Sequence, residues 1–142
     1  MTDINSIKPG TVFAWFMLVL IVRRIVLIVM LIVTKKKTSP GPPPPDTSDR
    51  PTRINGAIRN DSENDAYFLI LYLGTAIFSY SVNADIVRMI VYGAVYLTTR
   101  SIHSVMFILA LQPHRMLAFL FGLLCTFAMS LDLVITMSRT TN

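Results

Sequence analysis

The sequence contains little charge and almost no cysteine. Asp, Glu, Lys and Arg make up 15% of its 142 residues, whereas an ordinary soluble domain carries about 25% charged residues. Cys125 is the single cysteine, which excludes an intrachain disulfide and a cysteine-based metal site. Because Cys125 lies within an apolar run, we interpret it as a small buried hydrophobic residue. The low charge indicates an integral membrane protein.

Apolar residues are abundant instead and form 53% of the chain. Four apolar runs occur at 12–33, 66–82, 86–111 and 116–137, and one bilayer crossing needs about 20 mostly apolar residues. We therefore predict one all-α membrane domain over residues 1–142, a bundle of four transmembrane helices. The first run is too long for a signal-peptide core, lacks a small-residue cleavage site and ends in a Lys cluster, so it is expected to remain as a helix.

The net charge of +5 does not indicate nucleic-acid binding, because the basic residues concentrate in two loops. Seven of the thirteen Lys and Arg residues lie in the first and third loops: Lys35, Lys36, Lys37, Arg50, Arg53, Arg59 and Arg115. Four crossings place these loops on the same side, and basic loops stay cytoplasmic. Both termini and the 83–85 turn are expected on the opposite side.

The connections between the runs carry turn and capping signals. The run Pro-Gly-Pro-Pro-Pro-Pro dominates the 38–52 loop and predicts an extended spacer, with an SH3-type ligand as the alternative. Helix is expected to resume near Thr52, so that the polar start of the second helix occupies exposed cytosolic turns. Asp85 is expected to cap the third helix, and Pro113 to follow a tight turn at 112–114 near the start of the fourth.

Polar residues cluster where apolar runs begin or continue. The second run closely follows Arg-Asn-Asp-Ser-Glu-Asn at 59–64, and the third contains Arg100 and His103. A charge near the bilayer centre costs roughly 2.5–3.5 kcal/mol, and such residues usually pair with each other or with a ligand. Helical spacing puts Arg59 and Glu63 on one face, and Arg100, His103 and Phe107 on one stripe. A binding site is predicted, although Arg59–Glu63 alone could be a surface ion pair and His103 alone a packing residue.

Other charges lie inside the predicted spans. Arg23 and Arg24 fall in the middle of the first; we expect them to snorkel or to face neighbouring subunits, with ligand contact as the alternative. Arg88 and Asp132 fall at similar depths on the third and fourth helices. We predict that these two form a structural ion pair.

Three blocks together resemble one known family. Arg-Asn-Asp-Ser-Glu-Asn at 59–64, Arg-Ser-Ile-His-Ser at 100–104 and Gln-Pro-His-Arg at 112–115 are similar to the MAPEG family, the membrane-associated proteins of eicosanoid and glutathione metabolism. The glutathione transferase and prostaglandin E synthase branches are the most similar, from about residue 35 to the C-terminus. The resemblance implies a homotrimer of four-helix subunits in the endoplasmic reticulum, with glutathione bound between subunits near the cytoplasmic side.

The resemblance also implies roles for individual residues. Arg115 would stabilise the glutathione thiolate. The implied glutathione contacts are Lys35, Arg59, Asn60, Glu63, Arg100, His103 and Phe107, with Asp46 loosely aligned to a loop aspartate. Glutathione carries two carboxylates and one ammonium, so arginine forks suit the carboxylates and Glu63 could accept from the ammonium.

Several positions depart from the family pattern. Phe107 replaces a tyrosine that holds glutathione, and Phe119 stands where the synthase has another tyrosine. Met116 replaces the serine after the catalytic arginine of the synthase, which argues against that activity. Two arginines and a histidine of the transferase are replaced by Asn55, Gly56 and Ile58.

The function expected from this pattern is a membrane glutathione transferase, with peroxide reduction as an additional activity. Its partners would be glutathione, a lipophilic electrophile or lipid hydroperoxide, and membrane lipid, with no nucleic acid. A glutathione-dependent lipid-mediator synthase and a catalytically silent regulatory or scaffold protein remain as alternatives. A channel is disfavoured, since no acidic ring or pair of broken helices marks one.

Overall fold

A computed structural model describes residues 7–37, 50–82 and 86–140. These residues form four helices: α1 (Pro9–Lys37), α2 (Arg50–Val82), α3 (Ile86–Ile108) and α4 (Gln112–Thr140). The predicted proline spacer, Asp46 and the Asp85 cap lie outside the described residues. The second helix begins at Arg50, slightly before the predicted start near Thr52.

The helices pack as a bundle in which α2 contacts each of the other three. Among the described helices, two contain a segment long and apolar enough to cross a membrane: Pro9–Lys35 in α1 and Gln112–Arg139 in α4. Both carry many exposed large hydrophobic side chains, which suits an outer surface in contact with lipid. For α2 and α3, the assignment as membrane spans stays a prediction.

The main core lies where all four helices meet. It is built from Val12, Leu20, Phe68, Tyr72, Ala76, Met89, Tyr96, Cys125 and Met129. Cys125 is 8% exposed, which confirms its interpretation as a buried residue. A second cluster joins Leu27 of α1, Ile54 and Ala57 of α2 and Ile108 of α3; it lies toward the end of the bundle where α2 begins.

Small residues and flat rings bring the helices close together. The rings of Phe68 on α2 and Tyr96 on α3 stack with centroids 3.7 Å apart. A Cβ on Gly93 of α3 would meet the Tyr72 hydroxyl at 2.7 Å and the Phe16 ring at 2.8 Å. The absent side chain at position 93 therefore lets α1, α2 and α3 approach one another.

The turn between α3 and α4 is a Schellman motif. Leu111 N–H donates to Met106 C=O at 3.0 Å and Ala110 N–H to Phe107 C=O at 3.2 Å, the two bonds that close this kind of helix end. Ala110 takes the left-handed conformation with φ 59°. The predicted turn at 112–114 is wrong, because α3 ends earlier, at Ile108, and residue 112 is already helical; Pro113 does lie in the first turn of α4, as predicted.

The Arg88–Asp132 ion pair is confirmed. Arg88 Nη1 lies 2.8 Å from Asp132 Oδ1 and ties α3 to α4. Within a membrane span, two opposite charges that meet avoid the cost of an isolated charge in the bilayer.

Candidate functional site

A buried network of polar side chains joins α2 to α3. Arg100 is 1% exposed, and its Nη2 donates to Asp61 Oδ1 at 2.6 Å and to Asn60 Oδ1 at 2.7 Å. Ser104, one helical turn beyond Arg100, donates its hydroxyl to Asp61 Oδ2 at 2.8 Å. The carboxylate of Asp61 therefore holds two positions of α3 at once.

The same network extends to α1 through Arg23. Its Nη2 lies 2.8 Å from Asp65 Oδ2 and 3.2 Å from Asp61 Oδ2. Tyr96 donates its hydroxyl to Asp65 Oδ1 at 2.9 Å. Two arginines and two aspartates thus balance in charge, which is the condition under which charges tolerate burial.

The prediction that Arg23 and Arg24 snorkel or face other subunits is wrong. Arg23 forms ion pairs inside its own chain, and Arg24 donates to the Ser62 hydroxyl. The physical reason is that Asp61 and Asp65 lie one helical turn apart on the buried face of α2, directly against the middle of α1. Charges of both signs in neighbouring apolar segments were the signal that could have revealed this pairing.

The expected exposure of the whole polar cluster is also wrong in part. Asp61 and Asp65 are only 2% and 7% exposed, so they lie inside the bundle and not on projecting turns. By contrast, Arg59 and Glu63 form a pair at 3.3 Å with side chains 83% and 59% exposed. One helix therefore presents an inner acidic face and an outer face with a weak, solvated pair.

Two aromatic rings lie next to His103, which is on the same stripe of α3 as Arg100. Its ring centroid lies 5.8 Å from that of Phe107 and 5.9 Å from that of Phe119 on α4. His103 is 3% exposed, and within the described part of the chain its Nδ1 has no hydrogen-bond partner. A buried polar nitrogen without a partner is uncommon, and a catalytic or ligand-binding role is one of its explanations.

Arg115 lies over this aromatic group. Its Cζ is 4.6 Å from the centroid of the Phe107 ring, a cation–π distance, and its Nη2 donates to Gln112 Oε1 at 3.2 Å. Arg115 N–H donates to Leu111 C=O, so the residue lies in the first turn of α4, near the positive end of the helix dipole.

Two departures from the family pattern are neighbours in space. A Cβ on Gly56 would lie 2.8 Å from Phe107 Cε1 and 2.9 Å from its Cζ. The Phe107 ring thus occupies space that a side chain at position 56 would need. A larger residue at 56 and an aromatic ring at 107 in this position exclude each other.

The structure separates the predicted site residues into groups. Arg100 and Asn60 belong to the buried network, Arg59 and Glu63 to the exposed pair, and His103, Phe107 and Arg115 to the aromatic group on α3 and α4. Lys35 is exposed near the end of α1. The sequence interpretation missed Asp65, Tyr96 and Ser104, which hold this arrangement.

Comparison with known proteins supports the resemblance. Curated proteins gave no match to the chain. The model of the MAPEG family matches residues 10–135, a range that includes α2 and α3 completely and most of α1 and α4. The chain therefore belongs to the MAPEG family.

Proposed function

We propose that this MAPEG protein is a membrane-bound glutathione transferase that acts on lipophilic electrophiles, with peroxide reduction as an additional activity. The observation that carries the proposal is the set of contacts made by the Arg115 side chain. Among the described residues no carboxylate lies within ion-pair distance of it, and its contacts are an aromatic ring and an amide oxygen. Its positive charge is therefore free to stabilise an anion.

The accessible charged residues suit glutathione. Arg59 and Lys35 are exposed cations for two carboxylates, and Glu63 is an exposed carboxylate for the ammonium. Arg100 is different, because its Nη2 already donates to Asp61 and Asn60. We assign Arg100 a positioning role: it fixes Asn60 and the stripe of α3 that carries His103.

Bound glutathione would supply a thiolate sulfur, which forms a bond to an electrophilic carbon while a leaving group departs with its electron pair. A free thiol titrates near pH 8.5. Lowering that value by about two units takes roughly 2.7 kcal/mol of preferential stabilisation of the anion. The guanidinium of Arg115, together with N–H groups in the first turn of α4, is suited to provide it.

The family membership also supports an assembly and a location that we propose with it. A homotrimer in the endoplasmic reticulum membrane, with the Arg115 side toward the cytoplasm, would receive glutathione from the cytosol and the electrophile from the bilayer. The basic residues at the same end of the helices favour that orientation.

Conjugation of a hydrophobic chloronitrobenzene by the purified protein tests the proposal. Arg115→Leu should lower the rate at least tenfold, since it removes the cation that stabilises the thiolate. Arg139→Leu changes an exposed arginine at the far end of α4 and should leave the rate unchanged. Equal rates for wild type and Arg115→Leu would remove Arg115 from the mechanism.

The packing of Phe107 against Gly56 favours a second candidate, a catalytically silent regulatory or scaffold protein of the same fold. The ring fills space at the 56 position that a ligand-binding side chain would otherwise take. Thermal unfolding with added glutathione separates the two. A ligand at 100 times its dissociation constant adds about 2.7 kcal/mol of stability, whereas a silent protein would show no shift. A product screen with lipid peroxides and epoxides would identify a lipid-mediator synthase.

A further inference from the structure

An apolar cavity lies between α1 and α3, toward the end of the bundle where α1 ends and α2 begins. Its volume is about 390 Å³, within the 300–1,000 Å³ typical of sites for small molecules. Arg23, Val26 and Met30 line it along α1, a stretch of about 10 Å at helical rise. The wall is almost wholly apolar, so it suits a hydrocarbon chain.

The cavity borders the outer surface of the bundle. Three of its wall residues, Val26, Val105 and Leu109, are 51%, 52% and 57% exposed. With α3 crossing the membrane as predicted, these exposed apolar side chains would face lipid acyl chains. A chain can therefore enter from the bilayer without passing through water.

The charges at the two ends of the cavity differ. Arg23 at one end is already paired with Asp65 and Asp61, so its charge is balanced. Arg50, the first residue of α2, lines the other end and is exposed. Among the described wall residues there is no carboxylate to oppose an anion there.

We propose that this cavity binds one acyl chain of an anionic phospholipid, with the lipid phosphate held by Arg50. The second acyl chain would stay in the surrounding bilayer, beyond Val105 and Leu109. Each basic residue near the membrane surface raises the affinity for anionic lipid about fivefold. The match between an apolar groove and a cation at one end selects an anionic amphiphile over a neutral one.

The lipid site is separate from the proposed glutathione residues. Ser101 and Val105 line the cavity, while His103 and Phe107 contact α4 and α2. At 100° per residue these two pairs lie on opposite sides of α3. The lipid proposal therefore does not depend on the proposed function.

The test uses the full chain in micelles of an uncharged detergent, with dioleoyl phosphatidylglycerol or dioleoyl phosphatidylcholine at equal molar ratio. Lipid retained on the protein is counted by native mass spectrometry. The wild type should retain the anionic lipid at least fivefold better than the neutral one. Arg50→Gln should abolish that preference, whereas Arg139→Gln, a matched change at an exposed position of α4, should keep it.

Two further variants test the acyl-chain part. Val105→Phe and Val26→Phe each place a ring in the cavity from a half-exposed position, from α3 and α1 respectively, and both should lose retention of the two lipids. Equal retention of both lipids by the wild type would overturn the proposal, as would an anionic preference that survives Arg50→Gln or is lost equally with Arg139→Gln. Retention unchanged by both Phe variants would also overturn it. Retention that changes with protein concentration and not with the lipid headgroup would overturn it as well, because a second copy of the chain would then fill the cavity.

Discussion

The guanidinium of Arg100 and the carboxylate of Asp61 lie 2.6 Å apart, with their side chains only 1% and 3% exposed. This pair differs in kind from Arg59–Glu63 on the outer face of α2, which is open to solvent. Neither member of the buried pair can recover water contacts if the other is removed. The cost of breaking it is therefore the cost of a buried, unpaired charge.

Arg100→Met should destabilise the protein by about 3 kcal/mol. Loss of one member of a buried pair costs roughly 3–5 kcal/mol, and the lower end applies because Arg23 and Ser104 still contact Asp61. Chemical unfolding followed by far-ultraviolet circular dichroism measures the change. The double variant Arg100→Met with Asp61→Leu should regain at least about 1 kcal/mol, since it removes both charges and leaves Arg23 with Asp65.

The matched control is Arg59→Gln. Its exposed pair with Glu63 should contribute less than about 0.5 kcal/mol. If Arg100→Met and Arg59→Gln had similar effects, the buried network would not be a main stabilising contact between α2 and α3.

Gly56→Ala should destabilise the contact between α2 and α3 by about 1 kcal/mol. The new Cβ would lie 2.8 Å from the Phe107 ring, and overpacking typically costs 1–3 kcal/mol. Better helix propensity offsets about 1 kcal/mol of this cost. The Phe107 ring cannot turn away freely, because His103 and Arg115 contact it. Chemical unfolding of the wild type and of Gly56→Ala measures the difference in stability.

A second glycine of α2 is the control for this prediction. A Cβ on Gly74 would find Leu133 Cδ2 at 3.5 Å, an ordinary contact, so Gly74→Ala should stabilise by up to about 1 kcal/mol. Adding Phe107→Leu to Gly56→Ala should restore stability by relieving the close contact. If Gly56→Ala alone stabilised the protein, the Phe107 ring would have moved aside to accommodate the new methyl group.

The number of helices and the family could be predicted from the sequence, because both depend on residue type and spacing. Runs near 20 apolar residues predict four helices, and the blocks at 59–64, 100–104 and 112–115 are sufficient to indicate the family. The Arg88–Asp132 pair could also be predicted, because only two isolated opposite charges lie at that depth of α3 and α4.

Partner choice within the polar cluster could not be predicted in the same way. Asp61 and Glu63 are two residues apart, hence on different sides of α2, but the sequence does not show which side faces α1. Packing decides this: Asp61 and Asp65 lie on the stripe that continues as Phe68 and Tyr72 into the core. Once Phe68 and Tyr72 are known to face the core, the same helical periodicity places the two aspartates inside the bundle.

Asn60 should carry no glycan, although Asn60-Asp61-Ser62 fits the acceptor pattern. Its side-chain oxygen accepts from Arg100 at 2.7 Å within the bundle, and the proposed orientation keeps this end of α2 away from the lumen. Intact-mass measurement of protein made in a glycosylating host, before and after endoglycosidase treatment, tests this. A mass loss on treatment would contradict both the packing of Asn60 and the proposed orientation.

Ala110→Gly should stabilise the protein by about 1 kcal/mol. Ala110 has φ 59°, and the left-handed conformation costs an L-residue with a Cβ roughly 1–2 kcal/mol, whereas glycine adopts it freely. The Schellman hydrogen bonds of Ala110 and Leu111 use backbone atoms only and are retained. The gain is reduced in part by the greater freedom of glycine in the unfolded chain. Ala128→Gly changes an exposed position inside α4, where glycine is unfavourable, and should lower the stability by about 0.5–1 kcal/mol. Thermal unfolding of the two variants and the wild type measures both changes in stability. A loss of stability in Ala110→Gly would show that the turn does not hold position 110 in the left-handed region.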